Sequence, residues 1–374
     1  MGRPAAAARA LGRVAAMRAR GKIRVGVIGL DHNHGLMLAA RLWQAGATIV
    51  AHHASGGANL VAMRLLGPKA KSRSIDAIIE DPTIDLIVTA AIPSERGDIA
   101  VRALRAGKHV VADKPGVTTL DGLHAIDAAL AETDRRWWVM FGERFENRAV
   151  AEACRRARLG DIGRVVSVLG LGPHRMGADG RPDWFWEPEA TGGILVDIGS
   201  HQADQFLMAT GAGTAEVITS QVGNVSVPRH PPMQDIGQMV ISGGGAIGTH
   251  RVDYLSPKGL KTWGDGRLMI VGTEGTLEVR TNVDVAGKKG REHLIVVDAK
   301  GTRRIDCSTT KVDWARRLVA DVVDGSDTFV SADHVRAVSD LTLRAQAAAQ
   351  PWASAAAGGD AVDGPSAPAE EVAS

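Results

Sequence analysis

Short apolar runs alternate with helical patterns through the first 145 residues, and this alternation constrains the fold more than any other feature. Continuous apolar strands between helices are typical of a parallel sheet covered on both faces. A doubly wound α/β domain of the Rossmann type is therefore predicted for residues 22–145. The predicted strands are 23–29, 47–51, 86–90, 109–112 and 137–141, and the predicted helices are 36–44, 95–106 and 120–131.

Residues 146–350 follow a different pattern, because from 215 to 306 strand after strand is separated only by short turns such as GTEG, DAKG and SPKG. This predicts an α+β domain with a large, mostly antiparallel open sheet. Too few helices follow residue 211 to cover both faces, so one face is predicted to be open and to form a homodimer or homotetramer. The predicted helices are 149–159, 193–210, 312–323 and 332–349, with strands at 164–171 and from 215 to 306.

The two ends of the chain differ in charge from the rest. Residues 1–21 carry five arginines and no acid, and are predicted to be a flexible basic extension, with an organelle transit peptide as the alternative. Residues 351–374 carry four acids and no base, and are predicted to be a disordered tail. The formal net charge of the 374 residues is only +2, so no nucleic-acid partner is predicted.

Neither a membrane segment nor a disulfide framework is predicted. The longest charge-free stretch, residues 42–63, contains polar side chains and three glycines and is unsuited to a bilayer. Cys154 and Cys307 have no CxxC partner, which indicates a reducing compartment. A cytoplasmic location is predicted.

The turn after the first strand reads GVIGLDHNHG at residues 26–35. A dinucleotide's pyrophosphate binds at such a turn, where helix N-terminal amides point toward it; a plain strand–helix turn is the alternative. The G-x-G-x-x-G pattern is incomplete, because Asp31 and His34 stand at two of its glycine positions. No metal site is predicted, because no acid-and-histidine scaffold flanks the histidines. The predicted dinucleotide contacts here are Gly29, Leu30, Asp31, His32 and Asn33.

The second strand lacks the terminal acid that usually binds the adenosine ribose hydroxyls. Its end reads AHHASG, and the next acid is Asp76. His52 is predicted to lie at the strand's tip and to contact the cofactor, with His53 as the alternative. Since neither an acid nor an arginine is present, use of both NAD and NADP is predicted, with NADPH accepted at least as well as NADH.

Two further segments carry ionisable residues. AGKHVVADKP places Asp113 and Lys114 at the end of a predicted strand, where α/β sheets bind ligands. GGILVDIGSHQAD places Asp197 and His201 four residues apart on one predicted helix face, with Asp204 three residues later. A carboxylate beside an imidazole tunes the histidine for proton transfer near neutral pH. A surface lysine and a buried, satisfied Asp–His pair are the structural alternatives.

Together and in this order, these segments resemble the Gfo/Idh/MocA oxidoreductases, which include glucose–fructose oxidoreductase and inositol dehydrogenases, over residues 22–350. The resemblance implies a Rossmann domain followed by an α/β domain on a large open sheet. The family's Glu-Lys-Pro corresponds to residues 113–115, and its Asp…His pair to Asp197 and His201. Its Thr-Pro-Asn segment is replaced by Ala91-Ile92-Pro93. The further cofactor contacts that the resemblance implies are Ala91, Ile92, Asp113 and Lys114.

The function implied is an NAD(P)-dependent oxidoreductase that acts on a secondary alcohol of a sugar, cyclitol or related polyol. His201 would take the hydroxyl proton, Lys114 would stabilise the developing alkoxide, and Asp197 would hold His201 or a substrate hydroxyl. The alternatives are a non-catalytic NAD(P)- or sugar-sensing regulator on the same fold, and a lyase or epimerase. The predicted substrate contacts are His174, Arg175, Trp184 and Trp186.

Overall fold

The computed structural model describes residues 22–32, 34–54, 66, 69–177, 180–284 and 287–352. Its first domain is built on a parallel six-stranded sheet in the order β3-β2-β1-β4-β5-β6. All five predicted strands are confirmed, and the structure adds the two-residue edge strand β3. The strands are β1 Arg24–Ile28, β2 Thr48–His53, β3 Lys71–Ser72, β4 Leu86–Thr89, β5 His109–Asp113 and β6 Trp137–Met140, and the helices α1 His34–Gln44, α2 Ile75–Ile79, α3 Pro93–Arg105 and α4 Leu120–Glu132.

Burial on both faces explains why the strands of this sheet are uniformly apolar. Every residue of β4, β5 and β6 is buried, and so are four of the five in β1. The helices start at local signals, with Pro93 at the first position of α3 and Thr119 accepting a hydrogen bond from the Gly122 amide before α4. Because the strands are parallel, the ends of β1, β4 and β5 meet at one edge of the sheet.

The second domain contains a nine-stranded sheet in the order β14-β13-β12-β11-β7-β10-β9-β8-β15. Only the β7–β10 and β8–β15 pairs are parallel, so the predicted, mostly antiparallel sheet is confirmed. The helices are α5 Gly142–Phe145, α6 Arg148–Arg158, α7 Pro188–Thr191, α8 Ile194–Asp197, α9 Gly199–Thr210, α10 Trp314–Asp324 and α11 Ala332–Ala347, with a 3-10 helix at Asp183–Trp186. The strands are β7 Val165–Pro173, β8 Glu216–Gly223, β9 Ile236–Gly243, β10 Ala246–Asp253, β11 Arg267–Gly272, β12 Gly275–Thr281, β13 Glu292–Asp298, β14 Gly301–Ile305 and β15 Gln350–Pro351.

One face of this sheet is covered and the other is open, as predicted. Helices α6, α9 and α11 pack on the covered face. On β10 the residues alternate between buried and exposed from Ala246 to Arg251, as expected for a strand with one covered face. The apolar side chains exposed on the open face include Leu169, Ile247, Met269 and Val297.

Two sequence predictions about the second domain are wrong in detail. The helix predicted at residues 193–210 is two helices, because α8 ends at Asp197 and α9 begins at Gly199. The predicted tail begins too early, since Pro351 pairs with Val222 and the Trp352 amide donates to the Val222 carbonyl at 2.6 Å. The remaining tail, 353–374, and the extension 1–21 lie outside the described residues, and the domain boundaries stay predictions.

The two domains are in direct contact through the last long helix. Helix α11 packs against α4 and β6 of the first domain, and Arg336 of α11 donates to the Asp127 carboxylate at 2.9 Å. This contact joins the second domain to the parallel sheet. Among the described residues, no helix is long and apolar enough to cross a bilayer.

Candidate active site

A buried arginine ties together the loops that follow β4 and β5. The Arg96 guanidinium donates through Nη1 to the carbonyls of Asp113, Lys114 and Pro115, at 3.0, 2.7 and 3.0 Å. Its Nε donates to the Ala91 carbonyl at 2.8 Å. Four hydrogen bonds from one rigid fork fix the backbone on which Lys114 is carried.

Lys114 reaches across the domain boundary to Asp197. Its Nζ lies 2.7 Å from Asp197 Oδ1, and the Tyr254 hydroxyl donates to Asp197 Oδ2 at 2.7 Å. Burial opposes ionisation of Asp197, but the Lys114 charge and the two hydrogen bonds outweigh it and hold the pKa of that carboxyl well below its usual range. Asp197 is therefore a fixed carboxylate that orients Lys114.

The buried imidazole of His201 and the half-buried imidazole of His174 are both affected by the Lys114 charge. Burial, followed by the charge of Lys114, holds the pKa of His201 well below its usual value. Burial and the Lys114 charge lower the pKa of His174 to about 4. Both rings are therefore neutral at physiological pH, and a neutral imidazole can accept a proton. Lys114 and Asp197 are in direct contact, and the charges of both act on His201.

The hydrogen bonds of the Asp197 carboxylate go to residues other than His201, its predicted partner. Only Ile198, which has right-handed helical dihedral angles, separates α8 from α9, and the Asp197 carboxylate bonds Lys114 and Tyr254. Asp204 forms a separate network, because it accepts two hydrogen bonds from Arg144, at 2.7 and 2.6 Å, and lies 2.8 Å from His334.

The predicted cofactor loop lies at the carboxyl edge of β1. Gly29 has a φ of +76°, and a Cβ there would lie 2.3 Å from the Ala91 Cα. Leu30 is buried, Asp31 is exposed, and Asn33 lies outside the described residues. Ile92 is half-buried just before α3.

These residues fit a dinucleotide. Helix α1 opens at this loop with no acidic side chain in its first turn, which leaves a positive helix end facing the sheet edge. The buried Nδ1 atoms of His32 and His201 have no hydrogen-bond partner among the described residues. Asp113 lies between the imidazoles of His32 and His34, at 3.3 and 3.1 Å.

The prediction that His52 contacts the cofactor is wrong. Its side chain is fully buried, and its Nδ1 lies 3.0 Å from the Ala70 carbonyl, because β3 and the residues before it pack over this part of β2. His53, the alternative, is the last residue of β2 and is half-buried, with its Nδ1 3.0 Å from the Arg73 carbonyl. Arg73, which the sequence analysis did not consider, thus lies beside the end of β2. Its guanidinium is paired with the Asp81 carboxylate at 2.6 Å.

The structure places the four predicted substrate-contacting residues in different environments. His174 packs edge-on against Tyr254, with ring centroids 6.1 Å apart, and so adjoins the Lys114 cluster. Trp186 is buried and stacks on His230 at 4.0 Å, as part of the core, while Trp184 is half-buried. Arg175 donates to the Leu260 carbonyl in the loop after β10.

The sequence analysis missed three residues of this site: Arg96, Glu143 and Tyr254. Tyr254 could have been singled out as the only tyrosine of the chain. Arg96 follows the altered Thr-Pro-Asn segment, but nothing in the sequence shows that its side chain points inward. Glu143 is half-buried on α5, where the Gln202 and Gln205 amides donate to its Oε2 at 3.1 and 3.0 Å.

Glu143→Gln is expected to stabilise the protein increasingly as pH rises. Burial raises the pKa of Glu143 from 4.5 to about 7, against the opposing effects of the Gln205 and Gln202 amides and of Lys114. As pH rises, Glu143 therefore ionises in the unfolded chain before it ionises in the folded protein. The free energy of unfolding of the wild type falls by about 3 kcal/mol as pH rises through these two pKa values. Urea unfolding at pH 5 and pH 8 should show the advantage of the variant growing by about 2–3 kcal/mol. The control is Glu80→Gln at an exposed site; an advantage for Glu143→Gln that does not change with pH would contradict the prediction.

Comparisons with known proteins agree with this architecture. Residues 23–141 match the oxidoreductase family model with an NAD-binding Rossmann fold, and residues 150–278 match the GFO/IDH/MocA C-terminal domain. The scyllo-inositol 2-dehydrogenase (NAD(+)) of Bacillus subtilis is 28% identical over 290 residues, which cover 75% of this chain and 78% of that one.

Solved structures show the same fold along nearly the whole described chain. A protein of Erwinia carotovora atroseptica, described only as an oxidoreductase, is 38% identical with a TM-score of 0.85, over 88% of this chain and 99% of that one. Levoglucosan dehydrogenase in complex with NADH and levoglucosan is 20% identical with a TM-score of 0.71, over 87% and 97%. With both family models matched in order, the chain belongs to the Gfo/Idh/MocA family and is an oxidoreductase with an NAD-binding Rossmann domain.

Proposed function

We propose that this oxidoreductase transfers a hydride between NAD(P) and a secondary alcohol of a sugar, cyclitol or related polyol. The observation that carries the proposal is the ion pair of Lys114 Nζ with Asp197 at 2.7 Å beside the carboxyl edge of the parallel sheet, and the buried His201, whose pKa the Lys114 charge lowers, supports it. The names of the relatives support the substrate class, because they include a scyllo-inositol 2-dehydrogenase and a levoglucosan dehydrogenase.

A bound nicotinamide supplies or accepts the hydride, and the residues of the chain transfer the hydroxyl proton and stabilise the alkoxide charge. In the oxidation direction, neutral His201 accepts the hydroxyl proton as general base. The Lys114 ammonium stabilises the developing alkoxide, and Asp197, held by Tyr254, keeps Lys114 in position. Asp113, Ala91, Ile92 and the loop from Gly29 to His32 hold the dinucleotide.

Titration with NADH and with NADPH, followed by nicotinamide fluorescence, tests the proposal first. Binding of at least one dinucleotide and absorbance change at the nicotinamide band with a panel of sugars and cyclitols would support it. Binding of neither would overturn the dehydrogenase function. Binding with no turnover of any polyol would favour a sensing protein instead.

His53→Asp is expected to shift the cofactor preference toward NAD. With no acid at the tip of β2, the wild type should accept NADPH at least as well as NADH. A carboxylate at residue 53 would bind the ribose hydroxyls and repel a 2′-phosphate. The difference in binding free energy between NADPH and NADH, obtained from their two Kd values, should therefore shift toward NADH by roughly 1–3 kcal/mol. His124→Asp, at an exposed site on α4, is the control. A wild-type preference of about a hundredfold for NADH would show that other residues discriminate between the two cofactors.

The open sheet face is expected to make the protein a homodimer or homotetramer. Leu169 and Met269 are neighbours across β7 and β11 and both are exposed. Light scattering at micromolar concentration should give a mass at least twice that of the chain, and Leu169→Glu with Met269→Glu should dissociate the assembly. Leu159→Glu, an exposed position outside the sheet, serves as the control. A monomeric wild type would refute the prediction.

A cytoplasmic location also belongs to the proposal. Cys154 and Cys307 are both buried and unpaired, which suits a reducing compartment. Burial raises the pKa of the Cys154 thiol to about 12, so this thiol is inert.

A further inference from the structure

Two histidines of the altered glycine loop face one buried carboxylate. His34 Nδ1 lies 3.1 Å from Asp113 Oδ1, and His32 Nδ1 lies 3.3 Å from Asp113 Oδ2. The two imidazoles meet edge to face, with centroids 4.1 Å apart, and the three ligand atoms all lie within 4.8 Å of one another. The carboxylate of this cluster comes from a distant part of the chain, because Asp113 lies at the end of β5, 79 residues beyond His34, while the adjacent Asp31 is exposed.

Two of these atoms lack hydrogen-bond partners. His32 Nδ1 and Asp113 Oδ2 are buried and have none among the described residues. A buried polar atom without a partner is costly, and two such atoms facing each other form a site for a ligand that binds both.

The neighbouring cations are engaged elsewhere. The Lys114 ammonium is paired with Asp197 at 2.7 Å. The Arg96 guanidinium donates to four backbone carbonyls, and its closest approach to the Asp113 carboxylate is 3.6 Å, beyond hydrogen-bond distance. The carboxylate therefore remains able to bind a cation on the side that faces the histidines.

The distances between the ligand atoms of the histidines and Asp113 fit tetrahedral coordination of a metal ion. Metal–ligand bonds of about 2.0–2.1 Å from nitrogen and oxygen place neighbouring ligand atoms of a tetrahedral ion about 3.3 Å apart. The two observed separations are 3.1 and 3.3 Å. Two imidazoles and one carboxylate suit borderline transition metals such as Zn²⁺ or Co²⁺ rather than Mg²⁺ or Ca²⁺, which prefer oxygen ligands.

We propose that His32, His34 and Asp113 bind a divalent transition-metal ion of the zinc class at the carboxyl edge of the parallel sheet. His32 and His34 are half-buried and Asp113 is buried, so the ion reaches the ligands from the side of the histidines. Three protein ligands leave at least one coordination position for water or a bound hydroxyl. The proposal does not depend on the polyol chemistry above, and it concerns the chain free of dinucleotide, because His32 and Asp113 are also among the residues proposed to hold that cofactor.

The test is a titration of the full chain, stripped of metal by chelation and kept free of dinucleotide, with Zn²⁺ or Co²⁺. Calorimetry and elemental analysis after dialysis are expected to give one tightly bound ion per chain. His34→Ala and Asp113→Asn are each expected to weaken binding at least tenfold, because each removes one of three ligands. His124→Ala, an exposed histidine on α4, should bind the ion as the wild type does.

Circular dichroism shows which variants remain folded, and His32→Ala replaces Asp113→Asn if the latter unfolds. Wild-type protein that retains no ion after dialysis would overturn the proposal, and so would unchanged affinity in His34→Ala. Mg²⁺ bound as tightly as Zn²⁺ would also contradict it. None of these readouts requires turnover, so failure of the polyol assay would leave the metal result intact.

Discussion

Lys114→Ala and His201→Ala are each expected to lower kcat by about 10²–10⁴. Removal of Lys114 takes away the positive charge next to the developing alkoxide, and removal of His201 takes away the neutral imidazole that accepts the proton. Steady-state kinetics with the preferred dinucleotide and polyol measure the loss. Dinucleotide affinity and thermal unfolding of each variant, measured in parallel, show that the protein is still assembled.

Matched surface variants complete that experiment. Lys300→Ala in a turn and His124→Ala on α4 remove the same side-chain types from exposed positions, and both should keep wild-type turnover. Wild-type kcat in a folded Lys114→Ala or His201→Ala protein would remove that residue from the reaction. A raised KM with unchanged kcat would assign it to substrate binding alone.

Arg96→Leu is expected to lower the free energy of unfolding by about 3–5 kcal/mol. The substitution leaves the carbonyls of Ala91, Asp113, Lys114 and Pro115 without their shared donor, and it removes a cation from beside the buried Asp113 carboxylate. Urea unfolding measures the change. Arg96→Lys should recover only part of it, since an ammonium cannot reproduce the planar fork.

Arg102 provides a control on the same helix. Its guanidinium is exposed and pairs with the exposed Asp76 and Asp98, so Arg102→Ala should change stability by about 0.5 kcal/mol or less. If Arg96→Leu cost no more than Arg102→Ala, the four hydrogen bonds would not hold the two loops, and the position of Lys114 would need another explanation.

The sequence by itself determined five of the six strands and three of the four helices of the first domain, but not α2, and it determined the class of the second domain. Apolar runs separated by helices are a local signal, because each strand of a parallel sheet is buried on both faces. The same reasoning missed β3, whose residues Lys71 and Ser72 are both exposed and carry no apolar pattern. Strand β3 packs beside β2 and buries His52. Because the sequence analysis missed this two-residue strand, it wrongly predicted that His52 contacts the cofactor.

The tertiary structure alone decided which charges meet. Asp197 bonds Lys114 and Tyr254, 83 and 57 residues away, and not the histidine four residues along the chain. Asp113 reaches His32 and His34 because β1 and β5 end at the same edge of one sheet. Periodicity reports only which face of an element is buried; the partner of a buried charge depends on which elements pack together, and that is set by contacts distant in sequence.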